Sequence, residues 1–147
     1  MTAASDRTTA QDATRDGTRT LLSALEAGDL AALTALVHPE AVLVQPFSFS
    51  GAQEPEARLE GAEEVLGYLR QVTENFAHVR FREVDVSVTD DGTTAFVQAD
   101  GDFTTADGRP YRNVYVLRVD WREGLVAHID EYANPVTFCT TFGLPVG

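Results

Sequence analysis

Lysine is missing from this chain; every one of its eleven basic side chains is arginine. That absence excludes Schiff-base chemistry, lysine-bound pyridoxal phosphate and a phosphate-loop lysine. Cysteine occurs once, as Cys139, so an internal disulfide and any cysteine-cluster metal site are excluded. The three histidines have no metal-ligand spacing, and neither a metal nor a cofactor is expected. Positive charge is scarce: the net charge is −12 and the pI about 4.4. Nucleic acid needs a basic stripe, and an anionic membrane surface needs the same, so both are disfavoured as partners. The acidity itself serves solubility. No apolar run approaches the roughly 20 residues that span a bilayer. Met1 to Gly17 is polar and has no apolar core of a secretory signal, so it is expected to be a disordered tail, and the cytoplasm is the default location. Dinucleotide-binding and nucleophile-elbow motifs are absent as well.

What remains fits one domain over residues 18–147. Leu21, Leu22, Leu25, Leu30, Leu33, Leu36 and Val37 recur at helical spacing, interrupted by Gly28-Asp29. Glycine suits the left-handed end of one helix and Asp29 the cap of the next. His38-Pro39 ends the second helix. A short strand, Ala41–Phe47, is stopped by Pro46, and Ser48–Arg58 reads as a loop over a pocket mouth. Gly61–Phe76 is a third amphipathic helix, with Val65, Leu69, Val72 and Phe76 on one stripe and Tyr68 beside it. Four strands follow, Val79–Thr89, Thr93–Thr105, Pro110–Trp121 and Leu125–Ala133. They are separated by turns at Asp91-Gly92, Asp107-Gly108 and Glu123-Gly124. Helices first and an antiparallel meander after them define an α+β fold.

The last strand carries the most pointed signal. Glu131 alternates with Leu125, Ala127 and Ile129, so it is expected on the face those residues bury. A carboxylate on an apolar face is costly unless it is paired or working. A carboxyl group in an apolar cavity holds its proton more readily than in water and can donate it to a developing oxyanion or leaving group.

The motifs Ala27-Gly28-Asp29-Leu30, Val44-Gln45-Pro46, Glu60-Gly61, Gly108 to Asn113 and Glu131-Tyr132-Ala133-Asn134-Pro135 follow in order along the chain. In that order the chain resembles the NTF2-like superfamily, and within it the SnoaL-like and ketosteroid-isomerase-like proteins. The segment from Glu131 to Pro135, followed by Phe142 to Pro145, is most similar to the phenazine-biosynthesis A/B family. The resemblance implies three N-terminal helices packed on a curved, mostly antiparallel sheet that forms a cone, a pocket inside the cone, and frequently a homodimer. It also implies that Glu131 is an acid in the cavity. The ketosteroid-isomerase pattern is broken: Gln45 stands where that family has its aspartate base, and its oxyanion-hole groups fall near Leu21 and Tyr115. A neutral amide cannot take a proton from a carbon acid at neutral pH. The Asp-Arg-Asp set of limonene-epoxide-hydrolase relatives is also incomplete. Glu131 could stand for one carboxylate and Asp100 or Asp102 for the other, but the Thr93–Thr105 strand carries no arginine.

The candidate catalytic residues are therefore Glu131 and Asp100. Asp100 shares a strand face with Phe96 and Gln98; either that set faces the cone, or Ala95, Val97 and Ala99 do and the polar set is solvated. Gln45, Phe47, Tyr68, Asn113, Tyr115 and Ile129, with Phe96 and Gln98, are the candidate substrate-binding residues. His128 and Asp130 lie on the opposite face from Glu131, and Cys139 and Phe142 in a C-terminal segment placed to cover the pocket mouth. The expected function is a cofactor-independent tailoring enzyme of secondary metabolism. It would perform acid–base cyclisation, isomerisation or dehydration of a polyketide-like or aromatic substrate, a small apolar ligand. A non-catalytic small-molecule-binding or scaffold protein and an epoxide-hydrolase-like enzyme are the alternatives.

Overall fold

The leucine repeat of the first forty residues builds two helices, the first ended at Gly28 and the second at Leu36; His38-Pro39, expected to end it, lies already within the following strand. In the computed structural model, which describes residues 3–53 and 55–147, α1 spans Ala3–Ala27 and α2 spans Leu30–Leu36. Gly28 makes the turn between them at φ 63°. The Asp29 carboxylate accepts from the Ala32 N–H at 3.0 Å and caps α2.

The helix begins much earlier than its apolar stripe. Ala3–Gly17, expected as a tail, is helical; Met1 and Thr2 lie outside the described residues. Polar side chains hold this part down, which is why hydrophobic periodicity does not register it. The Gln11 amide donates to the Asp90 carbonyl at 2.8 Å, the Thr14 hydroxyl to the Gly92 carbonyl, and Arg7 pairs with Asp90 at 3.3 Å. Gly92 is required there twice over. Its φ is 76°, and a Cβ would stand 2.8 Å from that of Ala10.

The sheet has seven strands: β1 Val37–Gln45, β2 Ala57–Glu60, β3 Phe76–His78, β4 Phe81–Val88, β5 Thr94–Thr105, β6 Pro110–Arg122 and β7 Leu125–Ala133. Their order is β2-β1-β7-β6-β5-β3, with β4 also paired to β5; only β1 and β7 run parallel. α3, Ala62–Asn75, and the C-terminal α4, Pro135–Phe142, complete the fold. Among the described residues four helices thus pack on a curved, unclosed, mostly antiparallel sheet.

Three of these elements were hidden in the sequence by their length. β2 straddles the end of the expected loop Ser48–Arg58, and β3 takes up Phe76, expected as the end of the third helix, with the two residues after it. α4 carries its own signals, an Asn134 cap that accepts from the Val136 N–H at 3.0 Å, Pro135 in the first turn and Gly143 in the left-handed C-cap.

The concave side of the sheet holds two side-chain clusters. The larger packs Leu21, Leu33, Val65, Leu69, Val97 and Ile129, with others, beneath the helices. The smaller is aromatic and lies at the other end: Phe76, Phe103, Tyr111 and Tyr115 with Val79. Along β6 the inward side chains are Tyr111, Asn113, Tyr115, Leu117 and Val119, all buried, as their alternation predicts.

A further buried polar contact ties the middle of α1 to the sheet. Trp121 Nε1 donates to the hydroxyl of the fully buried Thr18 at 3.0 Å. Thr18→Val keeps the shape and removes the acceptor, leaving an indole N–H unpaired. The expected loss is about 1–3 kcal/mol of unfolding free energy in urea, read through the single tryptophan's fluorescence. Unchanged stability would contradict this anchoring of α1.

Candidate functional site

Three elements converge on Glu131. In β7 it stands opposite Leu117 of β6, one of the buried inward residues, so its side chain enters the concave side. The companions expected for it were partly wrong. The β6–β7 register shifts between Asp120 and Trp121, where Trp121 pairs with Val126 and Asp120 with His128. Ala127 is the extra residue of this bulge. Val126 and Ile129 are therefore the buried pair on the Glu131 face, while Leu125 and Ala127 are only partly buried.

Gln45 closes β1, one residue beyond the Val44–Asp130 pairing that sets β1 beside β7. Tyr68 comes from α3, beside the buried Leu69. Gln45 Nε2 donates to Glu131 Oε1 at 2.6 Å and to the Tyr68 hydroxyl oxygen at 2.9 Å. The Tyr68 hydroxyl in turn donates to the same Glu131 Oε1 at 2.6 Å. Glu131 Oε1 thus accepts twice, while Oε2 has no donor among the described residues. Gln45 Oε1 is buried and has no partner either. The amide orientation follows from the carboxylate, since an amide oxygen turned towards Glu131 would set two acceptors against each other.

The cluster forms the polar end of a cavity of about 150 Å³, walled by Phe49, Phe76, Tyr111, Phe138 and others. Glu131 is the only acidic or basic side chain among the described residues that line it. Burial first, then the negative charge of Glu131 and the hydrogen bond donated to it, hold the Tyr68 phenol well above its ordinary value. Burial likewise raises Tyr115 and, against the lowering effect of hydrogen bonds with Asn113 and Tyr115, Tyr111.

Asn113 lines the cavity, yet its amide is spent on the protein. Its Nδ2 donates to the Tyr111 hydroxyl at 2.8 Å and to the Asn134 carbonyl at 3.2 Å. Its Oδ1 accepts from the Val114 and Asn134 N–H groups at 2.8 and 3.0 Å. Rather than orienting a ligand, it ties the inner strand to the residue that caps α4. From α4, Phe138 closes one side of the cavity, and the buried Cys139 thiol donates to the Phe49 carbonyl at 3.2 Å. The C-terminal segment does cover the site.

The other expected site residues divide. Phe47 sits at the rim, half-exposed, edge-on to Tyr132 with ring centroids 5.4 Å apart. Tyr115 lines the cavity and is buried. Ile129 belongs to the main core and does not line the cavity. Asp100, Gln98 and Phe96 are a correction: all three are exposed on the outer face of β5, because the small apolar Ala95, Val97 and Ala99 are its inward set. Asp102 also faces outward, paired with Arg82 and Arg112 at 2.7 and 2.9 Å, so neither aspartate joins Glu131. His128 and Asp130 bond to each other at 2.6 Å on that outer side.

Among the described residues no group of three or more His, Cys, Asp and Glu side chains is placed to hold a metal ion. No helix among them is long and apolar enough to cross a membrane. The residue the sequence undervalued is Tyr68; its signal was a polar-tipped aromatic next to an apolar helical stripe.

The family model of the SnoaL-like domain matches residues 18–129. The chain belongs to the SnoaL-like family. Its fold is that of the NTF2-like proteins, as in one from Anabaena variabilis, 20% identical with a TM-score of 0.70 over 91% of this chain and 94% of that one. A Bacillus subtilis protein proposed to be an isomerase gives a TM-score of 0.77 at 22% identity, covering 92% and 96% of the two chains. A phenazine biosynthesis-related protein from Pseudomonas aeruginosa gives 0.71 at 15% identity, covering 94% and 92%. At such identities the likeness establishes the fold alone. No curated protein matches the chain.

The cavity phenols of this SnoaL-like domain stay neutral beyond the usual range. The unfolded chain ionises tyrosine at about pH 10. The stability these three contribute is therefore present below that pH and is lost as the pH rises through their higher folded values. Tyr68→Phe, Tyr111→Phe or Tyr115→Phe should leave the native ultraviolet phenolate titration unchanged up to about pH 10. Loss of a titrating step below that point would contradict the described burial.

Proposed function

We propose that the protein is a cofactor-independent tailoring enzyme that moves a proton on a small aromatic or polyketide-like substrate, performing cyclisation, isomerisation or dehydration. The observation that carries this reading is the asymmetry of Glu131: Oε1 is fixed by two donors and Oε2 has none among the described residues. Any proton exchanged with a ligand passes through Oε2. Two donors on one oxygen fit an ionised carboxylate, so the cycle opens with Glu131 as base and closes with the same oxygen returning the proton to another atom. This reverses the order expected from the sequence, in which Glu131 first donates. Tyr68 and Gln45 are positioning residues. Their donors are engaged with Glu131 and hold the carboxylate in one rotamer, so the reacting atoms meet in a fixed geometry. The family and the fold neighbours support the class of chemistry: one neighbour is proposed to be an isomerase and another is related to phenazine biosynthesis.

The epoxide-hydrolase-like alternative loses its footing, because Asp100 and Asp102 lie on the outer face. A homodimer also belongs to this reading. Phe96, Val114 and Val116 are exposed on the outer face of β5 and β6, where a second copy can cover them. Sedimentation should then give twice the 16.0 kDa chain mass; a species of single-chain mass would contradict it.

Proton transfer can be tested without the natural substrate. An aryl β-diketone such as benzoylacetone in deuterium oxide should exchange its α-hydrogens faster in the presence of the protein. Glu131→Gln should remove about 10²–10⁴-fold of that acceleration at saturating diketone. Binding with no exchange above background would mark a carrier and overturn the enzymatic reading.

A further inference from the structure

The polar end of the cavity contains more acceptors than donors. Gln45 Nε2 has two hydrogens, one given to Glu131 Oε1 and one to the Tyr68 oxygen. The Tyr68 hydroxyl hydrogen goes to Glu131 Oε1. All three polar hydrogens of the cluster are consumed. Glu131 Oε2 and Gln45 Oε1 are left with none, and Gln45 is 8% exposed. The Asn113 amide cannot compensate, since each of its groups is engaged with Tyr111, Val114 or Asn134.

From this imbalance we infer the class of ligand: a single aromatic ring that enters with a hydrogen-bond donor, a hydroxyl or amino N–H, directed at Glu131 Oε2. A ligand with only a carbonyl or ether at this end would meet acceptor against acceptor and leave buried lone pairs unpaired. Anions are excluded by the lining, in which Glu131 is the one charged side chain among the described residues and no arginine or histidine is present. The ring count follows from size. An apolar void near 150 Å³ admits a benzene ring, and this cavity has about that volume. Substituents beyond one ring would extend past Phe47 towards solvent.

The inference deepens the reading of the cavity as a substrate site and rests on it. Gln45 and Tyr68 gain a second role, for they set specificity by spending their own hydrogens. A Glu131 end whose side-chain donors faced the ligand would select carbonyl oxygens; here that end selects the hydroxyl or enol form.

Calorimetric titration with matched one-ring probes tests it on the unaltered chain. Phenol and aniline bring a donor, anisole an acceptor only, toluene neither, and benzoate a charge. Phenol or aniline should bind at least about tenfold more tightly than anisole and toluene, as a hydrogen bond to a charged group warrants. Benzoate should be weakest. Glu131→Gln, checked for folding by circular dichroism, places an amide at that position and should bring the phenol-to-anisole ratio to about one or below. A merely structural Glu131 would weaken all probes alike. Equal binding of phenol, anisole and toluene would overturn the donor inference and leave the cavity reading standing. Failure of every aromatic to bind would overturn both.

Discussion

Everything at the polar end of this fold depends on the double acceptance at one carboxylate oxygen. Glu131 Oε1 takes hydrogens from Tyr68 and Gln45 at 2.6 Å each. Those contacts fix the rotamer, define which oxygen is free, and satisfy one half of a charge that would otherwise be costly in an apolar cavity. They also join α3, β1 and β7, so the geometry is set by rigid elements rather than by loops. With one donor removed, Oε1 keeps a single partner and the carboxylate is held less firmly; with both removed, the asymmetry that gives the site its direction is lost.

The surroundings keep that arrangement enclosed. Asn113 binds both backbone groups of Asn134 at the start of α4, and the Cys139 thiol meets the Phe49 carbonyl on the rim segment. The wall contacts between Phe76, Tyr111 and Phe142, with ring centroids 5.0 to 6.2 Å apart, are the usual tilted and edge-on geometries of packed aromatics. Cover and wall are thus tied together, and the Asn113 amide that joins them has both of its groups engaged with the protein.

Much of this was legible from residue patterns, and the parts that were not share physical reasons. The helical leucine repeat, the three glycine turns and the inward set of β6 are periodic signals, and the structure follows them. Glu131 was placed on the buried side by alternation with Ile129, although a bulge at Ala127 removes Leu125 and Ala127 from that face. A bulge leaves no mark in a two-residue period. Asp100 was left open for the opposite reason: its strand alternates plainly, but with only small apolar residues at Ala95 and Ala99 against Phe96 on the other face, the period does not say which face is the core. The first half of α1 was hidden because threonine, glutamine and arginine side chains hold it, not leucines. The Gln45–Tyr68–Glu131 cluster joins residues 23, 63 and 86 positions apart. Only topology brings them together.

The departure at Gln45 from the ketosteroid-isomerase pattern becomes intelligible in this light. Where an aspartate base would stand, the Gln45 amide supplies a donor to the Glu131 carboxylate on β7. The most direct measurement of the account is a crystal structure of the protein soaked with phenol. The account predicts the ring among Phe49, Phe76 and Phe138, with its hydroxyl within hydrogen-bond distance of Glu131 Oε2 and Oε1 still held by Tyr68 and Gln45. A ring seated with its hydroxyl away from Glu131, or Tyr68 turned to donate to the ligand instead, would contradict it.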